Sequence, residues 1–243
     1  VLEEAYGHHT YKRKNETEAA SVFDLASVTK VAATTLSLMA LEQDGLIDLQ
    51  DSLGQHLPFL EGSNKSQLLI ADVLRHRSGL KAWIPFYLET VDSRKRPIDS
   101  LYNKRPNADF SIEVASKLFM KASYVDSVWV KIVESEIKPE QGYVYSDLGF
   151  YLLAALVKEK TGKRIDAFVH ERFYGPLGLD RLGFNPLEKF EKSEIPPTER
   201  DNYFRQQVVQ GYVHDMGASM LGGVSGHAGL FGAASDLSVI MQM

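Results

Sequence analysis

Phe23-Asp24-Leu25-Ala26-Ser27-Val28-Thr29-Lys30 carries an S-x-x-K spacing and runs straight into Val31, Ala32, Ala33, Leu36, Leu38, Met39 and Leu41. On a helix, residues i and i+3 share a face, so Ser27 and Lys30 point the same way, the amine close to the hydroxyl. A serine hydroxyl is a weak nucleophile until a neighbouring base takes its proton. A lysine serves as that base when its surroundings favour the neutral amine. The apolar residues on nearly every side predict a buried helix over 26–44, ended by Gly45 as a C-cap. A nucleophile at the start of such a helix meets free N–H groups and a partial positive charge. The N–H of Ser27 is then a candidate half of an oxyanion hole.

A second stretch, Tyr145-Ser146-Asp147, offers a tyrosine hydroxyl as a proton carrier. It stands ahead of Leu148, Tyr151, Leu152 and Ala155, whose spacing predicts a helix to about Lys160, ended near Gly162. Each motif alone is weak: S-x-x-K also occurs at surface helix starts, and Tyr-Ser-Asp reads equally well as an N-cap. Together they point to a serine acyl-transfer enzyme.

With these motifs the chain resembles the serine β-lactamase and penicillin-binding-protein superfamily, nearest its class C-like branch with esterases and D,D-peptidases. Leu25-Ala26-Ser27-Val28-Thr29-Lys30 looks like the nucleophile motif, and Leu41 through Asp51 is similar to the family's glycine turn and L-D-x-D stretch. Val73-Leu74-Arg75-His76-Arg77-Ser78-Gly79-Leu80 looks like its L-L-x-H-x-S-G-L element, and Tyr143 through Phe150 like its Y-x-N region. Pro176-Leu177-Gly178-Leu179 matches P-L-G-M, and Gly226 through Leu237 resembles the segment G-x-A-G-L-F-S-T-A-x-D-L. The details also look like the serine-hydrolase domain fused to family-3 glycoside hydrolases. The resemblance implies an α+β fold, an α/β-type sandwich of the β-lactamase/DD-peptidase kind. Such a fold has an antiparallel sheet with flanking helices plus a mainly helical subdomain, and the site lies between them. It implies that Ser27 attacks a carbonyl and is acylated and that Lys30 helps deprotonate it. Tyr145 then relays a proton to the leaving group, and the Ser27 N–H stabilises the oxyanion. The bonds cleaved would be esters, amides or β-lactams, with a peptidoglycan-derived or small-molecule acyl substrate and no cofactor or metal. A periplasmic, extracellular or cell-envelope location follows from the resemblance alone.

Two departures qualify it. The third position of the tyrosine motif is usually Asn, and here it is Asp147. A carboxylate near Lys30 favours the ammonium, moves more proton traffic to Tyr145 and disfavours substrates with a nearby carboxylate. The same residue could instead cap the helix beginning at Leu148. The second departure concerns the family's Lys-Thr-Gly or His-x-Gly motif on a strand facing the nucleophile. His227-Ala228-Gly229 looks like it, but its surroundings match an earlier segment just before a helix, so it reads as something else. The chain therefore looks like one β-lactamase-like domain, 1–243, incomplete at both ends. A strand region covers 1–25, with Val1 in a strand pair turning near Gly7, and a mainly helical part covers 26–243. The rival reading is a non-catalytic or degenerate module that binds peptidoglycan fragments or supports a fused glycosidase.

The remaining signals constrain without deciding. A net charge of −5 argues against nucleic acid or an anionic membrane as main partner. Zero cysteines exclude disulfides, a thiol nucleophile and cysteine-ligated zinc. No apolar run is long enough to span a membrane. Residues 66–76 predict a short helix closing at Ser78-Gly79, and 165–173 another, stopped by Gly175-Pro176. Residues 84–142 form an insertion with a basic stretch at Arg94-Lys95-Arg96-Pro97, either a solvated excursion or a wall over the site; 112–122 and 125–136 within it read as helical. Trp83, Phe86 and Tyr87 read as core rather than substrate wall. His8 and His9, adjacent on a strand, face opposite sides, which speaks against a shared metal. A Ser–His–Asp triad drawn from His214-Asp215 and His227 is the competing chemistry. No G-x-S-x-G elbow surrounds any serine, and Ser225-Gly226-His227 reads as too compact to form a triad by itself.

Overall fold

The computed structural model describes residues 3–138 and 142–243. In chain order the named helices and strands are β1 (Phe23–Asp24), a π-helical turn Lys30–Thr35 continuing into α1 (Leu36–Gln43), α2 (Leu53–His56), α3 (Ile70–Leu74), β2 (Tyr102–Asn103), β3 (Phe110–Ala115), β4 (Leu118–Lys121) and α4 (Tyr124–Glu134). There follow α5 (Leu148–Thr161), α6 (Ile165–Val169), β5 (Leu182–Phe184), β6 (Glu199–Asp201), β7 (Gln207–Val209), α7 (Met216–Ser219), β8 (Leu230–Gly232) and α8 (Ala234–Gln242). All strand pairs among the described residues are antiparallel: β1-β8-β5, β2-β4-β3 and β6-β7. The α+β expectation holds.

The helix that is apolar all round is not the one following Ser27. It is α5, in which Leu148 through Leu153, Leu156 and Val157 are all buried. They pack in one cluster with Leu38 and Leu41 of α1, Leu53 of α2 and Val73 of α3. The helix from Lys30 to Gln43 keeps one open face, where Val31 and Met39 lie 55% and 62% exposed. Its end is as expected: Gly45 at φ +70° donates to Glu42 O while Leu46 donates to Leu41 O, a Schellman cap. The short helix α3 ends earlier than Ser78-Gly79. His76 itself takes the left-handed position, at φ +56°, with its N–H on Val73 O and the Arg77 N–H on Asp72 O. A histidine there accepts the strain usually left to glycine because its ring is used, as described below.

Three further expectations are corrected. Residues 112–122 are not helical but lie in the β3–β4 hairpin, paired as Ile112↔Met120 and Glu113↔Phe119. Alternating burial with β-branched and aromatic residues outweighed the helical count there. The part from 26 onward is accordingly less helical than expected, whereas α4 over Tyr124–Glu134 agrees. The amino-terminal pair turns at Thr10–Arg13 rather than Gly7 and is held by a single bridge, His8↔Glu16; Val1 lies outside the described residues. Of the three aromatics read as core, Phe86 is buried but Trp83 is 54% exposed.

Lys65 pins α4 to the rest of the helical part. Its side chain is fully buried, and Nζ donates to Asn64 Oδ1 (2.7 Å), Val133 O (3.0 Å) and Ser135 O (2.5 Å). Burial, with a smaller contribution from Lys81, pushes this amine down to about 8. The folded chain thus binds fewer protons than the unfolded chain between pH 8 and the ordinary lysine value of about 10.4, so stability rises with pH in that window. Urea unfolding is expected to show a gain of up to about 2 kcal/mol from pH 8 to 9.5, and Lys65→Met should abolish it. Equal slopes in both proteins would refute the assignment.

Candidate active site

Ser27 sits at a junction between strand and helix that several groups hold in place. Asp24 on β1 accepts the N–H of Ala26 (2.8 Å) with one oxygen and the N–H of His214 (2.6 Å) with the other. Burial raises the Asp24 carboxyl, against the pull of those two N–H groups. Ala26 takes φ +45°, a conformation costly for a residue with a Cβ. The chain then winds through i→i−3 bonds (Val28 N–H to Leu25 O, Thr29 to Ala26, Lys30 to Ser27) before widening into the π turn. Thr29 ties this turn to β8 by accepting the Leu230 N–H (3.1 Å). Ser27 is left exposed, and no acceptor among the described residues takes its backbone N–H.

Lys30 is buried and is the hub. Its Nζ lies 2.9 Å from Ser27 Oγ, 2.7 Å from Asp147 Oδ1 and 3.2 Å from the carbonyl oxygen of His227. It also stands 4.7 Å from the Tyr145 ring centroid and 5.6 Å from that of Phe150. The structure thus gathers Ser27, Lys30, Tyr145 and Asp147 around one amine. Asp147 heads α5, but its side chain makes no cap bond to the helix; it faces Lys30 instead. The capping alternative for that carboxylate therefore falls.

The three polar partners of Lys30 differ in what they can do. A carboxylate and a carbonyl only accept, so two amine hydrogens are committed to Asp147 and His227 O in either protonation state. The Ser27 hydroxyl can accept or donate. The ammonium therefore donates its third proton to Ser27 Oγ, and the neutral amine turns its lone pair on the Ser27 O–H.

The Tyr145–Asp147 segment is laid against residues 76–82. Val144 N–H donates to His76 O (2.9 Å), Ser146 N–H to His76 Nδ1 (3.0 Å), Ser146 Oγ to Lys81 O (2.6 Å) and Asp147 N–H to Ala82 O (2.8 Å). The His76 ring packs between Tyr145 and Phe150, with centroids 4.5 and 5.3 Å away. Burial and the neighbouring Lys30 charge hold His76 below the ordinary imidazole value, leaving Nδ1 free to accept. His76 is thus a hydrogen-bonded structural histidine that fixes the tyrosine.

The residues that might have formed a triad do form a bonded chain. Ser225 Oγ lies 2.8 Å from His227 Nδ1, and His227 Nε2 lies 2.8 Å from Asp215 Oδ1. Compactness did not prevent the Ser225–His227 bond, because Asp215 arrives from a separate segment. Ser225 is only 3% exposed, so this serine is not offered to substrate as Ser27 is. His214 goes elsewhere, 3.1 Å from Glu199. Buried Arg205 steadies the segment before Asp215, pairing with Asp201 (2.7 Å) and donating to Val213 O and His214 O. A groove of about 920 Å³ between α4 and α5 contains none of Ser27, Lys30, Tyr145 or Asp147. A smaller recess beside Asp147 is lined by Trp83, Tyr151, Asp215 and His227. The carbonyl of His227 had no signal in the sequence, since any residue carries one.

The family model described as Beta-lactamase matches residues 1–243, and the chain belongs to that family. It is 30% identical over 255 residues to an N-acetylmuramyl-L-alanine amidase of Bacillus subtilis (strain 168), covering 98% of this chain and 53% of that protein. It is 32% identical over 241 residues to a putative D-alanyl-D-alanine carboxypeptidase of Salmonella gallinarum, covering 92% of this chain and 50% of that one. The chain spans about half the length of these curated relatives. Its fold is similar to the octameric penicillin-binding protein homologue from Pyrococcus abyssi (TM-score 0.65, 18% identity, 98% of this chain and 48% of that one). It is also similar to the D-amino acid amidase from Ochrobactrum anthropi SV3 complexed with L-phenylalanine (TM-score 0.64, 17% identity, 97% and 58%). Among the described residues, no helix is long and apolar enough to cross a membrane.

Proposed function

We propose that the protein is a serine hydrolase of amide or ester bonds in cell-wall-derived substrates, working through an acyl-enzyme on Ser27. The observation that carries this is the buried Lys30 amine: among the described residues, the Ser27 hydroxyl is its only hydrogen-bond partner able to donate a proton. Ser27 Oγ forms a bond to the substrate carbonyl carbon as its proton passes to Lys30. The carbonyl oxygen becomes an oxyanion, and the free Ser27 N–H is one donor for it. Collapse breaks the bond to the leaving amine or alcohol, which takes a proton relayed by Tyr145 from Lys30. Water then attacks the acyl carbon, gives up a proton by the same route and releases the acid with Ser27 restored. The relatives' names, an amidase and a carboxypeptidase of wall peptides, support the substrate class and a periplasmic or cell-surface site of action.

Intact-mass spectrometry after exposure to a fluorophosphonate and, separately, to a fluorescent penicillin tests the reading. A single adduct on Ser27, fluoride leaving as the Oγ–P bond forms, is the expected result. A folded protein that takes neither reagent would favour the non-catalytic module. Asp147→Asn removes the charge that favours the ammonium and is expected to move the acid limb of the pH–rate profile for acylation to lower pH. An unmoved limb would leave Asp147 only a positioning role.

A further inference from the structure

We infer that His227 is a positioning residue for Lys30: its buried ring, held between Ser225 and Asp215, sets the carbonyl that aims the amine at Ser27. The inference rests on the reading of Ser27 and Lys30 given above. The carbonyl in question belongs to a segment with no helix or strand of its own between α7 and β8, and that segment contains Gly222, Gly223, Gly226 and Gly229. Glycine gives backbone freedom, so a carbonyl placed here needs an external reference. Gly226 is required for contact, because a Cβ there would meet the Phe150 carbonyl oxygen at 2.1 Å. Thr34 Oγ1 donates to Gly226 O at 2.6 Å. The rest of the fixing comes from the imidazole, which is 2% exposed.

Both ring nitrogens are engaged, and the face stacks on Tyr151 of α5 with centroids 4.2 Å apart and planes 21° from parallel. Asp215 is itself anchored, accepting the Ala218 N–H (2.7 Å) at the start of α7. Burial alone would push its carboxyl up, but the charge and hydrogen bond of His227 hold it well below the usual carboxylate range. An ionised carboxylate only accepts, so Nε2 carries a hydrogen and the ring cannot turn over without breaking that bond. The stack refers His227 to α5, and Asp147 stands at the N-cap of the same helix. Both acceptors of Lys30 are therefore indexed to one buried helix, and the third amine position is directed at Ser27 by what remains. A ring needed only to fill space would not require a polar partner on each nitrogen, one of them the buried Ser225 hydroxyl, which is costly if left unpaired.

The test uses His227→Phe, His227→Gln and Ser225→Ala, with time-resolved fluorophosphonate labelling read by intact mass and a crystal structure of His227→Phe. The phenyl ring keeps the stack and loses both hydrogen bonds. A misplacement of about 1 Å at a reacting group costs on the order of 10²-fold. His227→Phe should therefore lower the maximal labelling rate constant by roughly 30-fold or more, with the half-saturating reagent concentration little changed. Lys30 Nζ should move out of hydrogen-bond reach of Ser27 Oγ. His227→Gln, which can still donate to Asp215, should fall between. A folded variant that labels at the parent rate, or that labels slowly with Lys30 unmoved, overturns the inference and leaves His227 a structural pin. If the parent protein takes no adduct at Ser27, the reading of Ser27 fails on its own, and the position of Lys30 in His227→Phe still decides this claim. Should neither His227 variant fold, Ser225→Ala answers alone, and an unchanged labelling rate overturns it.

Discussion

Ser27→Ala is expected to abolish covalent labelling and to lower turnover by on the order of 10⁴–10⁶-fold while leaving the fold intact. Ser27 is exposed, and its side chain's one hydrogen bond among the described residues is to Lys30, so its removal disturbs little packing. Surface substitutions of this kind stay within about 0.5 kcal/mol of parental stability. Ser225, whose hydroxyl is bonded to His227, is the competing candidate nucleophile. Double-labelling experiments thus separate the two: an adduct that survives Ser27→Ala and disappears with Ser225→Ala would transfer the nucleophile to the buried chain. Peptide mapping of the adduct after proteolysis locates it directly. Turnover by Ser27→Ala at the parental rate sinks the assignment outright.

Lys30→Ala should cost about 10²–10⁴-fold in the rate of acylation and, unlike Ser27→Ala, should also destabilise the protein. The amine is buried, and its loss leaves Asp147, its side chain one-quarter exposed, without its cation. Breaking a buried ion pair by removing one partner costs about 3–5 kcal/mol. Partial exposure of Asp147 puts the expected loss at or below the bottom of that range, about 2–3 kcal/mol. The Lys30→Ala/Asp147→Asn double variant should recover part of that stability without recovering activity. Residues acting as a unit give non-additive effects, so Ser27→Ala/Lys30→Ala should turn over substrate no more slowly than Ser27→Ala alone. Urea unfolding of the parent and these four variants, with turnover rates from the same preparations, decides both points. Additive rate losses would mean that Lys30 acts independently of Ser27.

The Ser27–Lys30 contact was legible because it is local. The two stand three positions apart, and one helical turn brings them together. The helices over 36–43, 124–134 and 148–161 were legible for the same reason, since periodicity survives whatever the rest of the chain does. The hairpin over Phe110–Lys121 was missed because its strands are short and interrupted by bulges, so alternation broke down before it could be counted. Which apolar helix is central was also misread: the runs at 31–41 and 148–157 are about equally apolar, and burial depends on what packs on each.

The sequence by itself determined the pairing of hydroxyl and amine, the tyrosine and carboxylate ahead of α5, and membership of a family through ordered motifs. Those properties depend on residue type and short spacing. Only the tertiary structure decided that Asp147 faces Lys30 rather than its own helix, that His76 orders Tyr145, and that the His227 carbonyl completes the amine's surroundings from 197 residues away. Such contacts join chain segments whose separation leaves no local pattern, and a backbone carbonyl has no residue type to announce it. They exist because closing the core around α5 brings these segments to one end of the helix.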